Sequence, residues 1–293
     1  MRPAMDQASY AARPEGVLPA AGATSGDGAS PLATPQSPRL DAGLFKELVL
    51  HLVKREIDAT HRMTVLGWAW PVTRQLVQLA VLSFIFGTAL HFGGTIKHFP
   101  VFVFCGLIAW TWFSTGVGAA SSSLLDQRHL LFQPRMPPAV LPIVAIFVPL
   151  VDVVMALPVL AIMLLATTGI PWTALLVPLL VVLQLVLMSG IAWLTSAGSV
   201  FSRDIPNIVS VSLTTLFYLT PVFYGLHTVP ERYARFLKLN PMATIVESYR
   251  ALLLGGPYPG IGTIVYTVVL SLGLAVAGAV NFRRVQHRFV DSL

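Results

Sequence analysis

Charge is what this 293-residue chain has least of: Asp, Glu, Lys and Arg make up 11% of it, where a soluble domain carries about a quarter. That is too little polar surface to face water over a domain of this size. The shortage excludes an ordinary cytoplasmic enzyme, a disordered tail protein and a nucleic-acid reader built on basic patches. Cysteine is nearly missing. Cys105 stands alone, which excludes a disulfide scaffold and a multi-cysteine metal site. The 7 histidines are scattered, with no HExxH spacing and no Cys/His cluster, so no metal is expected. No GxSxG elbow is present, and no serine–histidine or paired-aspartate set lies in the apolar stretches. No glycine-rich loop ends in Gly-Lys-Ser or Gly-Lys-Thr. The lysines Lys46, Lys54, Lys97 and Lys238 all lie elsewhere, so the chain does not hydrolyse ATP by that route. No catalytic residue can be assigned.

Apolar residues are what it has: 55% of the chain, with a mean hydropathy of +0.73. Lipid is therefore its main solvent, and the net charge of +6 reads as topology signal and anionic-lipid contact. Residues 1–40 are rich in Pro, Ala, Ser and Gly and are expected to form a disordered cytoplasmic tail, with the membrane domain over 41–293. No apolar core follows Arg2 closely enough for a secretory signal peptide. Leu44–Met63 sets Leu48, Leu52, Val53 and Ile57 among Lys46, Lys54, Arg55 and Arg62, the pattern of an amphipathic helix lying in the interface.

Six apolar runs are long enough to count as crossings: Val72–Leu90, Phe99–Ala120, Ala139–Thr168, Trp172–Ala197, Ile208–Phe223 and Gly262–Val280. Pro142, Pro149 and Pro158 interrupt the third. Lys54, Arg55, Arg62, Arg74, Arg128, Arg135, Arg203, Arg283, Arg284 and Arg288 flank one membrane face, and the two short links on the other hold only Lys97. The positive-inside rule then puts both termini in the cytoplasm. The link between the fifth and sixth runs runs against this bias, with Arg232, Arg235, Lys238 and Arg250. It is also patterned. Val229–Leu239 is polar and helical, Asn240-Pro241 is a break, and Met242–Leu254 is a half-length apolar helix stopped by Gly255-Gly256-Pro257. Two readings stand, a re-entrant helical pair and an extracellular cap.

Two features inside the runs invite chemistry. Asp152 lies within Val151-Asp152-Val153-Val154, and an intramembrane carboxylate is either part of a transport path or a polar anchor between helices. Aromatic residues cluster at Trp110, Trp112 and Phe113 and again at Phe217, Tyr218, Phe223 and Tyr224. They are either packing and lipid belt or a stacking surface for sugar rings inside a channel.

Four stretches taken together carry a family resemblance. Val53-Lys54-Arg55-Glu56 runs on to Leu66-Gly67-Trp68-Ala69-Trp70-Pro71. Phe132-Gln133-Pro134-Arg135-Met136-Pro137 closes a polar loop. Phe201-Ser202-Arg203-Asp204-Ile205 precedes Leu219-Thr220-Pro221-Val222-Phe223-Tyr224. Asn240-Pro241-Met242 precedes Tyr249-Arg250. In this order and spacing the chain, over about residues 44–290, resembles the membrane subunit of bacterial ABC exporters for O-antigen, capsular polysaccharide and teichoic acid. The resemblance implies an all-α integral membrane permease with six crossings, an amino-terminal interface helix and short re-entrant helices between the fifth and sixth crossings. It implies residence in the inner membrane and a homodimer that docks two copies of a separate ATPase. ATP is then bound by that partner, no cofactor by this chain, and the cargo is a lipid-linked glycan. Trp110, Phe113, Tyr218 and Tyr224 become the channel-lining candidates. Arg203, Asp204, Tyr249 and Arg250 become gate candidates, and Lys54, Arg55, Arg128 and Arg135 the ATPase-docking candidates. The Gln133-Pro134-Arg135-Met136 stretch departs from the family's more familiar Lys- and Phe-Pro-rich version. Two other classes remain open on the residues: a proton-coupled secondary transporter using Asp152, and an assembly protein for envelope glycolipids.

Overall fold

In the computed structural model, residues 42–61, 69–89, 96–131 and 136–289 are described, and every regular element among them is helical. The expected tail over 1–40 lies outside the described residues, as do Arg62 and Arg135. Helix α1 (Ala42–His61) is amphipathic as the pattern demands. Val49 is buried, Phe45, Leu52 and Val53 pack against the core, and Lys54 and Arg55 are exposed. α2 (Trp70–Leu82) starts with Pro71 in its first turn, where no intrahelical donor is lost, and continues as a wider π-helical stretch over Ser83–Ala89.

α3 (Phe99–Asp126) is the central post. Every residue from 101 to 110 is buried, and the helix packs against α5 (Val140–Phe147), α6 (Leu150–Thr167), α7 (Val177–Phe201), α8 (Ile205–Leu219) and α10 (Pro241–Leu254) as well as α2. Of the three prolines in the third apolar run, Pro149 alone ends a helix, separating α5 from α6. Pro142 sits in the first turn of α5, where its missing N–H costs nothing, and Pro158 lies inside α6 without stopping it. Helices α7 and α11 (Ile261–Val285) cross at glycines. A Cβ at Gly278 would lie 2.5 Å from the Gly190 carbonyl oxygen, so the two backbones touch where neither residue has a side chain.

Among the described residues, five helical segments are long and apolar enough to cross a membrane: Trp70–Ala89, Phe99–Asp126, Val140–Thr167, Trp172–Phe201 and Ile261–Arg288. The run expected as the fifth of six crossings is shorter than its pattern suggested. α8 stops at Leu219 after 15 residues, about 22 Å at 1.5 Å per residue, short of a hydrocarbon core of about 30 Å. The cause is Pro221, which pushes the preceding Thr220 into extended backbone (φ −95°, ψ 131°). Beyond it the chain turns through 220–225 and forms a short 3-10 turn at Leu226–Thr228. The small helix α9 (Glu231–Leu237) follows, then α10. The break at Asn240-Pro241 is there as read. The Asn240 side chain accepts the Met242 N–H and caps α10, and Gly255 ends it in a left-handed conformation at φ 66°.

Candidate functional site: a hydroxyl-and-aromatic groove

The apolar α3 and α8 each carry one stripe of small and hydroxylated residues. On α3 the stripe is Trp110, Ser114, Gly118 and Ser121, and on α8 it is Pro206, Ser210, Thr214 and Tyr218. Spacings of three and four residues put each stripe on one helix face. The two faces, with Gln78 from α2 and Thr115, Leu213 and Phe217, line a groove of about 520 Å³. Among the described residues no ionisable acid or base lines it, the Tyr218 phenol apart. Its hydroxyl protons are largely spent: Ser114 and Thr115 donate to the Thr111 carbonyl, Ser121 to that of Gly118 and Thr214 to that of Ser210. A hydroxyl that donates to its own helix keeps lone pairs to offer. The groove therefore presents acceptors and aromatic faces, a surface suited to a neutral partner rich in O–H groups and C–H faces.

The aromatic residues form a connected line. Phe113 packs on Trp110 at 5.5 Å between ring centroids, and Trp110 meets Phe217 at 5.8 Å. Phe217 meets Tyr218 at 5.4 Å and Phe223 at 6.0 Å. Phe223 stacks on Phe86 at 4.4 Å and meets Tyr224 edge-on at 5.2 Å. The far end opens on a second cavity of about 340 Å³, lined by Phe86, Phe223, Tyr224 and Thr228–Pro230. Trp110 and Tyr218 thus reach the groove, Phe113 is buried behind Trp110, and Tyr224 lines the second cavity with its hydroxyl donating to the Tyr218 carbonyl at 3.2 Å.

The four residues expected at gates separate into two places. Arg203 and Asp204 are exposed on the α7–α8 turn. Tyr249 and Arg250 are buried in α10, near the start of α3. Arg250 is 2% exposed, and all three of its guanidinium nitrogens donate. Nε donates to the Phe102 carbonyl at 3.2 Å, Nη2 to Val222 at 2.5 Å, and Nη1 to Pro221 at 2.5 Å, to Tyr224 at 3.3 Å and to the Glu247 carboxylate at 3.2 Å. The Phe102 ring lies 3.5 Å from the guanidinium carbon, a cation–π contact. Gly106 makes the room, since a Cβ there would come 2.7 Å from Nη2. α10 lies outside the five crossing segments, and burial lowers the Arg250 pKa while Glu247 opposes that fall. Arg250 with these partners ties α10 to the turn that carries Phe223 and Tyr224. At 2% exposure it is closed off from a passing ligand. A second tie runs from the Asn240 amide to the Thr220 hydroxyl at 2.9 Å.

Asp152 sits in the first turn of α6, where the helix dipole favours a carboxylate, and it is not without a partner. It is not among the residues lining the groove. Lys54, Arg55 and Arg128 are exposed, and Arg135 lies outside the described residues. Among the described residues no group of three metal-ligating side chains occurs.

The profile described as ABC-2 type transporter matches residues 47–254. The chain belongs to that family. The match runs from within α1 to the end of α10, so it takes in the groove, the aromatic line and the Arg250 ties. This ABC-2 type permease is 32% identical over 252 residues to the O-antigen export system permease protein RfbA of Myxococcus xanthus, covering 85% of this chain and 96% of that one. It is 24% identical over 260 residues to the RfbA of Klebsiella pneumoniae, covering 87% and 98%. It is 24% identical over 252 residues to the polysialic acid transport protein KpsM of Escherichia coli, covering 84% and 96%.

The sequence reading picked out the aromatic residues of the permease but passed over Ser114, Thr115, Ser121, Ser210 and Thr214. Their signal was present as hydroxyls at spacings of three and four in otherwise apolar helices. Only the pairing of α3 with α8 turns two such stripes into one groove.

Proposed function

We propose that this permease is the membrane-spanning subunit of an ATP-driven exporter that moves a lipid-linked polysaccharide of the O-antigen or capsule type out across the cytoplasmic membrane. The observation that carries the reading is the groove without fixed charge, walled by acceptor hydroxyls and aromatic faces. Sugar rings offer hydroxyl donors and apolar C–H faces, and both find a match there. The relatives named for O-antigen export support the same cargo class.

In this reading two copies set their grooves face to face and enclose one channel. α8 and the turning residues 220–225 make a sixth, partly non-helical crossing, sheltered by α9 and α10. Both termini lie in the cytoplasm. α1 and α4 (Arg128–Leu131) then present Lys54, Arg55 and Arg128 to a separate ATPase that supplies the work.

The test is deletion of the gene with complementation by wild type or by Ser114→Trp, which fills the groove. Loss of surface glycan with lipid-linked glycan accumulating inside is expected for the deletion and for Ser114→Trp, at equal membrane levels of the protein. Unchanged surface glycan in the deletion strain would remove the cargo assignment.

A further inference from the structure

A larger cavity, of about 720 Å³, lies beside the last turns of α11 and has no part in the groove. Its walls are apolar: Phe45 from α1, Pro137 and Ala139 ahead of α5, Trp193 from α7, and Ala279 and Phe282 from α11. The one polar atom of the indole is already used, Trp193 Nε1 donating to the Ala139 carbonyl at 3.3 Å. The rim is Arg283, Gln286 and His287, and among the described residues no acidic one lines the cavity. Arg283 and His287 are exposed, and among the described residues neither makes an ion pair or a side-chain hydrogen bond.

Bases in the final turn of a helix are favoured by its dipole, which accounts for their position but not for the apolar cavity under them. A soluble anion gains nothing from walls of Phe, Trp and Ala. An uncharged acyl chain gains nothing from the rim. An amphiphile with an anionic head gains from both, and basic pockets between membrane helices are where such heads are held.

We infer that this cavity is a binding site for one anionic glycerophospholipid, its phosphate against Arg283 and His287 and an acyl chain along Phe45, Trp193 and Ala279. The lipid would fasten α1 to the α7–α11 pair, since Phe45 is the wall that α1 contributes. The inference does not depend on what the permease exports.

Native mass spectrometry of the full-length protein, stripped of lipid in detergent and given phosphatidylglycerol or phosphatidylcholine, tests it. One retained phosphatidylglycerol per chain is expected, preferred over phosphatidylcholine. Arg283→Gln with His287→Gln should weaken retention on the order of tenfold. Arg232→Gln with Arg235→Gln, at least as large a charge loss on exposed α9, should leave it unchanged. Ala279→Trp, which fills the cavity with the rim intact, should also abolish retention. The charge variants alter exposed residues, so they keep the test sound if Ala279→Trp fails to fold. Equal capture of the two lipids would overturn the site, as would full retention after the double rim substitution. Displacement by millimolar inorganic phosphate would mean a plain anion site. Unchanged lipid capture with loss of a copurifying ATPase would mean a protein-docking groove instead.

Discussion

Replacing Arg250 with alanine tests whether one buried guanidinium holds the turn carrying the far aromatic residues of this permease. The substitution removes five hydrogen bonds to the Phe102, Pro221, Val222 and Tyr224 carbonyls and the Glu247 carboxylate. Glu247 is itself 7% exposed and would keep only the Leu226 N–H at 3.4 Å. Removing one partner of a buried ion pair costs about 3–5 kcal/mol, chiefly because the other charge stays buried without compensation. Arg250→Lys keeps the charge but concentrates its donors on one nitrogen, which cannot reach Phe102 on α3 and the 221–224 turn as a fork does. It should lose one or two charge-assisted hydrogen bonds, about 2–3 kcal/mol. Arg250→Met combined with Glu247→Gln removes both charges and should melt above Arg250→Ala alone. Cys105, the sole cysteine, is buried on α3 close to this network, so maleimide labelling of its thiol during heating reports when α10 loosens. Labelling midpoints should fall in the order wild type, Arg250→Lys, Arg250→Ala. A midpoint for Arg250→Ala equal to wild type would refute the account of Arg250 as the tie.

Trp110→Ala and Tyr218→Ala should each lower export at unchanged membrane levels, read as surface glycan per permease, and normal export from both would return them to lipid-facing packing. Gly278→Val drives a side chain into the Gly190 backbone and should cost about 1–3 kcal/mol or more, seen as a lower melting midpoint in detergent. Asn240→Ala loses the cap of α10 and the bond to Thr220, a loss of about 2 kcal/mol, also read by Cys105 labelling. Arg128→Glu with Arg135→Glu should weaken copurification of the proposed ATPase partner without altering membrane insertion; full copurification would take that loop out of the proposed docking surface.

Composition and apolar run length determined that this protein lives in lipid and that its described elements are helices, because a chain this poor in charge must satisfy its backbone internally. Local chemistry, legible residue by residue, set the amphipathic α1, the Pro71 start of α2 and the Asn240-Pro241 break. Three things took the tertiary structure. Run length overstated α8, because the conformational restriction that Pro221 places on Thr220 outweighs hydropathy. The sequence offers Arg250 as a gate candidate, since nothing along the chain says that an arginine in α10 will meet carbonyls 28 and 148 residues away. The groove needs α3 and α8 side by side. A hydroxyl stripe on one helix is a packing feature until a second stripe faces it, and that pairing is a property of the fold alone.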